Sequence, residues 1–268
     1  METRDGVVLR LAGVSGGYTG GAVVSGIDLS LRRGRTYALI GPNGAGKTTI
    51  LRAITRQLPH ASGIITIGDE DVWRLSRRRL AQTVALTPSS RHASGLPVLN
   101  HTLLGRTPHR GLLSMRDSET DIHMAKEALE EMGIENLANR TMGELSEGQR
   151  QMASIAQALA QAPQVLLLDE PTANLDPANQ QRILSTVKRI AQMRGIAVLA
   201  TLHDINSANL WADHVAILRG GKIVCQGPPT DVMTPQNLSA AYGVCFTLTT
   251  AYMPTSTPIA QNDHSPAF

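Results

Sequence analysis

The chain has 268 residues, 42% of them hydrophobic and 18% charged, with a net charge of +3. That balance excludes a disordered chain and a coiled coil, and no apolar run approaches the roughly 18–20 residues that a membrane-spanning helix needs. Nearly all the basic residues are arginines spread along the chain, and aromatics are only 3%, so neither a basic patch nor a set of stacking platforms for nucleic acid is present.

Val7 to Leu11 is a short apolar run, and Ile27, Leu29 and Leu31 alternate with Asp28, Ser30 and Arg32, the period of a half-buried strand. Tyr37-Ala38-Leu39-Ile40 is continuous and apolar, too short for a helix and suited to a strand buried on both faces. A glycine-rich loop, Gly41 to Gly46, leads into helical spacing over Thr48 to Gln57. Ile64 to Ile67 and Val84 to Leu86 are further strand candidates. From Pro88 to Arg116 the chain is rich in Pro, Gly, Ser, Arg and His. Ser118 to Met132 and Gly148 to Gln161 then read as helices. Strand signals resume at Val165 to Leu168 and at Ile196 to Ala200, with a helix carrying Ile183, Leu184, Val187 and Ile190 between them. Val215 to Leu218, Gly220-Gly221 and Lys222 to Val224 predict a hairpin. After Thr250 the periodicity ends, and a solvated, flexible tail over 251–268 is expected. Cys225 and Cys245 are the only cysteines, and Met1 to Arg10 lacks the pattern of a secretory signal, which predicts a cytoplasmic protein.

Three motifs carry chemistry. Gly41-Pro42-Asn43-Gly44-Ala45-Gly46-Lys47-Thr48 fits G-x-x-x-x-G-K-[ST] without mismatch, between a strand and a helix. Such a loop turns backbone N–H groups inward around phosphate oxygens and aims a positive helix end at them. Lys47 supplies a point charge and the Thr48 hydroxyl can ligate Mg²⁺. The motif implies a nucleotide; without it the segment would be a glycine-rich turn. Val165-Leu166-Leu167-Leu168-Asp169-Glu170 ends a buried strand in two carboxylates. Asp169 is placed to reach Mg²⁺, often through water, and Glu170 to polarise a water in line with a γ-phosphate. Leu145-Ser146-Glu147-Gly148-Gln149 opens a helix that Ser146 can cap.

With these three motifs in this order the sequence resembles the ATP-binding cassette (ABC) ATPases over roughly residues 7 to 245. The family signature is LSGGQ, and Glu147 replaces its first glycine. The resemblance implies an α/β fold of the P-loop NTPase type: a mixed β core lobe with a RecA-like parallel sheet and an inserted helical lobe. The expected division is one nucleotide-binding domain over 1–250, its catalytic lobe formed by 1–88 and 164–250 and its helical lobe by 89–163. It also implies ATP and Mg²⁺ as ligands, with Tyr18, Asn43, Gly44, Ala45, Gly46, Lys47, Thr48 and Thr49 around the nucleotide. Glu170, His203 and Lys47 take the catalytic roles. Ser146, Glu147, Gly148 and Gln149 act in trans on the γ-phosphate of a second copy in a head-to-tail dimer, and Asp176 sits in the loop joining the paired sites. Read without the resemblance, Tyr18 is a surface tyrosine, Asp176 a helix cap and His203 a satisfied histidine.

Two positions depart from the family. Ser89 stands where a glutamine that touches Mg²⁺ and senses the transporter is usual, and Gln157 stands where an arginine is common. Leu104-Gly105-Arg106-Thr107-Pro108-His109 resembles the GRxPH stretch of importer ATPases for iron–siderophore, haem and cobalamin, and the Ser89–His109 segment is expected to meet a permease; otherwise this stretch reads as an exposed polar loop. The resemblance thus implies a membrane-docked ATPase subunit of a metal-chelate importer, working with an integral permease and a substrate-binding protein and peripheral on the inner face of the cell membrane. A soluble ABC ATPase of iron–sulfur assembly and a hydrolysis-poor regulatory module are the alternatives.

Overall fold

The computed structural model describes residues 6–19, 21–89, 94–111 and 117–247; the expected tail over 251–268 lies outside the described residues. Two long strands open the chain, β1 (Val7–Tyr18) and β2 (Gly21–Arg32), paired antiparallel. They run well beyond the stretches marked by alternation, because register shifts between Leu11 and Val14 and again to Gly16 break the period. Buried β3 (Thr36–Ile40) leads through the glycine loop to α1 (Lys47–Ile54). Then come β4 (His60–Ile67), β5 (Glu70–Asp71), α2 (Arg77–Thr83) and β6 (Val84–Thr87).

The middle of the described chain is helical: α3 (Val98–Leu103), which continues as a 3₁₀ turn over Leu104–His109, α4 (Glu119–Glu131) and α5 (Glu147–Ala160). The chain then alternates strand and helix through β7 (Val165–Asp169), α6 (Pro177–Arg194), β8 (Ala197–Thr201) and α7 (Ile205–Trp211). It ends in the expected hairpin β9 (His214–Arg219) and β10 (Lys222–Gly227), followed by α8 (Pro229–Val232) and α9 (Pro235–Tyr242).

The strands make two sheets, a four-stranded β2-β1-β4-β5 and a six-stranded β10-β9-β3-β8-β7-β6. In the larger sheet β3, β6, β7, β8 and β9 are parallel, and β10 runs against β9. Both faces of this sheet are covered, which is why its strands read as continuous apolar runs. Alternate residues serve different cores. Leu39, Leu167 and Leu199 join α1 and the smaller sheet, while Ile40, Leu168 and Ala200 join the residues of α4, α5 and α6.

The Leu104–His109 stretch corrects one expectation. It is not an exposed loop: Arg106 is buried, with Nε 2.9 Å from Asp121 Oδ1 and Nη1 donating to the Ala160 carbonyl at 2.8 Å. His109 Nε2 lies 2.8 Å from the Gln161 carbonyl, and Gln82 donates to the Pro108 carbonyl at 2.9 Å. A short run that looks polar in sequence therefore fastens the start of α4 to the end of α5. Burial pushes the Asp121 carboxyl up, but hydrogen bonds from Ser118 and Arg106 outweigh it and hold it down at about 2.

Removing one member of a buried ion pair strands the other, so Arg106→Met is expected to cost roughly 3–5 kcal/mol, read by chemical or thermal unfolding. Because the Asp121 value is lowered on folding, its contribution is complete above the ordinary 3.8 and is lost as pH falls towards about 2. Asp121→Asn should lack that acid-dependent part of the unfolding profile.

Candidate nucleotide site

The site lies at the carboxyl ends of β3, β7 and β8, the edge of a parallel sheet where ligands bind. After β3 the chain must turn sharply and start α1. Gly41 has φ +146 and a Cβ there would meet the Leu218 carbonyl oxygen at 2.2 Å; Gly46, at φ +105, caps α1 where a Cβ would meet Val24 at 2.5 Å. Neither position accepts another residue without displacing its neighbours. Asn43 and Gly44 are exposed at the crown of the loop, while Ala45, Gly46 and Thr49 are buried beneath it.

Lys47 opens α1 and folds back over the loop. Its Nζ donates to the carbonyls of Gly41 at 2.7 Å and Pro42 at 3.2 Å. Burial lowers its pKa, opposed by the negative charges of Glu170 and Asp169. The ammonium is thus held inside a ring of backbone, a short way from two carboxylates, where a phosphate would be a better partner than a carbonyl.

The acidic strand end meets this loop directly. Thr48 Oγ1 donates to Asp169 Oδ1 at 3.0 Å, and Thr201 Oγ1, at the end of β8, donates to the same oxygen at 2.8 Å. Asp169 is 5% exposed and Thr201 fully buried. Glu170 leaves the strand with φ +50, a left-handed conformation rare for a glutamate. Its N–H donates to Thr201 Oγ1 at 2.8 Å, and its Oε1 lies 2.7 Å from His203 Nε2. Lys47, Thr48, Asp169, Glu170 and His203 are therefore one constellation. The Thr48 hydroxyl and the Asp169 carboxylate are hard oxygen donors on adjoining elements, a set that fits Mg²⁺ completed by phosphates and water.

The other predicted residues lie on other elements. Tyr18 ends β1 and lines an open cleft with Thr19, Pro59 and His60. Its hydroxyl accepts from Arg52 Nη1 at 2.7 Å, with the guanidinium 6.0 Å from the ring centroid. Arg52, on α1, escaped the sequence reading because no motif includes it. Ser146 caps α5 in a capping box with Gln149. Gly148 packs against Asn179 of α6, and Asn179 donates to Asp176, which caps α6. Both bland readings, Ser146 and Asp176 as caps, are realised in the structure. Glu147 is exposed in the first turn of α5. Ser89 is exposed two residues past the end of β6, the strand beside β7. Thr201 was visible as part of Thr201-Leu202-His203-Asp204 but drew no role; its signal is a hydroxyl at the end of a buried strand, directly in register with Asp169.

The sequence profile of the ABC transporter family matches residues 24–173. Among curated relatives, a hemin import ATP-binding protein HmuV of Bordetella pertussis is 37% identical, the match covering 84% of this chain and 88% of that protein. The iron(3+)-hydroxamate import ATP-binding protein FhuC of Bacillus subtilis is 35% identical, covering 85% of each. A solved transporter described as of metal-chelate type, in an inward-facing conformation, superposes with a TM-score of 0.78 at 26% identity, over 89% of this chain and 90% of that one.

Lys47→Met should leave the unfolding temperature close to wild type, since Lys47 bonds only to its own loop, and should lower affinity for ATP by about 10- to 100-fold as a charge-assisted contact is lost. Titration with a fluorescent ATP analogue reads this directly.

Proposed function

The chain belongs to the ABC transporter ATP-binding family and is an ATP hydrolase; we propose that it powers import of a metal chelate through a separate membrane permease. The observation that carries this is an assembled hydrolytic constellation in a chain whose relatives are named for hemin and iron(3+)-hydroxamate import. An iron–siderophore is the foremost cargo in this reading, with haem and cobalamin in the same chelate class. The permease and a substrate-binding protein choose the cargo, and the chain works on the cytoplasmic face of the membrane. Among the described residues no helix is long and apolar enough to cross a membrane.

In this reading Lys47 and the backbone of residues 41–48 hold the β- and γ-phosphates, and Tyr18 stacks on the adenine. Thr48 and Asp169 hold Mg²⁺, which would supply charge neutralisation on the phosphates. Glu170 orients and polarises the attacking water. His203, 2.7 Å from Glu170, keeps that carboxylate aimed and reaches the γ-phosphate. Ser89 stands where the glutamine is usual, and its shorter hydroxyl would reach the metal only through water.

Two copies would close head to tail, each signature helix presenting Ser146, Glu147, Gly148 and Gln149 to the ATP of the other, with Asp176 linking the sites. The exposure of Ser146, Glu147 and Asp176 supports this. The division into a catalytic lobe, 1–88 with 164–250, and a helical lobe, 89–163, belongs to the same reading. A groove of about 570 Å³ between Pro88, His101, Leu104 and Gln157 supports the permease contact. Leu96 and Leu104, 42% and 45% exposed, give it an apolar wall. Among the described residues His101 Nε2 is buried there without a hydrogen-bond partner, and burial lowers its pKa.

Glu170→Gln should retain ATP binding, lower kcat by roughly 100-fold or more, and accumulate an ATP-bound dimer on size exclusion. Wild-type turnover in that variant would remove Glu170 from its role. A tagged chain expressed in its native host should be recovered from membranes with an integral protein, and Leu104→Glu should reduce that recovery. Recovery only with soluble assembly proteins would refute the importer reading.

A further inference from the structure

The least expected group at the site is the Thr201 hydroxyl. It accepts the Glu170 N–H at 2.8 Å and donates to Asp169 Oδ1 at 2.8 Å. A directed chain therefore runs from the amide of one acidic residue, through a hydroxyl on the neighbouring strand, to the carboxylate of the other. Each bond in such a chain polarises the next. Thr201 is fully buried, so water cannot replace it.

Two features make this bond set consequential. Glu170 sits at φ +50, a conformation that persists only where its surroundings hold it. The Thr201 side chain takes its N–H. Asp169 Oδ1, in turn, accepts from both Thr48 and Thr201. The Thr48 hydroxyl can offer a lone pair to a metal ion and still donate its proton to Asp169. The Thr201 bond comes from the neighbouring strand, β8, where Thr201 is in register with Asp169. It is a second restraint on the same carboxylate oxygen.

We infer that Thr201 is a positioning residue that holds Asp169 and Glu170 in their working orientations at once. The inference rests on the ATPase reading of these two carboxylates. It assigns to the side chain of β8 a role separate from that of His203, two residues further on. It also states what the sequence position needs: a hydroxyl, not merely a β-branched side chain filling a strand end.

The test compares Thr201→Val, which keeps the volume and removes the hydroxyl, with Thr201→Ser, which keeps the hydroxyl. Thr201→Val should lower kcat roughly 10- to 100-fold, the usual effect of removing a group that orients a metal or catalytic ligand. Its affinity for ATP without Mg²⁺ should stay within about threefold, because, among the described residues, Lys47 and the glycine loop make no bond to Thr201. Thr201→Ser should restore most of kcat. A readout independent of turnover is the gain in affinity for a fluorescent ATP analogue on adding Mg²⁺ to an EDTA-treated protein. That gain should shrink in Thr201→Val, with metal-free affinity unchanged. If Thr201→Val is not recovered folded, Thr201→Ala takes its place. Wild-type kcat in the hydroxyl-free variant overturns the inference, and so does equal impairment of the Val and Ser variants, which would mark a packing role. Neither result touches the ATPase reading, which fails only if the wild-type protein with its permease does not hydrolyse ATP.

Discussion

The end of β7 depends on one oxygen. Asp169 Oδ1 takes a hydroxyl from α1 through Thr48 and a hydroxyl from β8 through Thr201. A carboxylate 5% exposed needs such donors, since burying an ionised group without them is expensive. Through this junction the phosphate loop, the acidic strand and the strand leading to His203 become one rigid unit. The buried parallel sheet fixes the three strand ends to within their hydrogen-bond register, Leu168 beside Ala200 and Asp169 beside Thr201. Catalytic groups gathered on such ends are held by the whole core rather than by loops.

The parts of the fold whose chemistry follows local rules were readable. The buried strands 37–40, 165–168 and 196–200 lack polar residues because helices and the second sheet cover both faces. The phosphate loop was readable because glycine is demanded by backbone geometry, not by a partner elsewhere. The extent of β1 and β2 was hidden by register shifts and by glycines that carry no alternation. The Arg106 pair and the Thr201 chain were hidden for another reason. Both join residues distant in sequence, Arg106 to Asp121 and Ala160, Thr201 to Asp169 and Glu170. A single sequence holds no record of such pairings, and an arginine among glycine, threonine and proline looks solvated until its partners fold around it.

The helical segment and the sheet are joined through a shared core, yet each has its own polar fastening. Arg106 locks the start of α4 to the end of α5. Asp213 locks β3 to α6 by accepting from the Thr36 N–H at 2.9 Å and pairing with Lys188 at 3.2 Å. Between the two, Gly148 of α5 packs on Asn179 of α6, and Asn179 in turn bonds Asp176. The start of α5 and the capped start of α6 thus meet through Gly148, Asn179 and Asp176.

Lys47 shows how the loop is prepared for its ligand. Its ammonium satisfies two loop carbonyls and lies close enough to Glu170 and Asp169 to feel their charge. Burial lowers its pKa, so the charged form is held at a cost that a phosphate would relieve. The carbonyls hold the side chain across the loop, so little conformational entropy remains to be lost on binding. The same bonds close the loop on itself. Affinity therefore comes from exchanging a weak neutral acceptor for a charged one at a site already formed. Beside the loop, the Tyr18 ring is steadied by Arg52 of the helix that Lys47 begins.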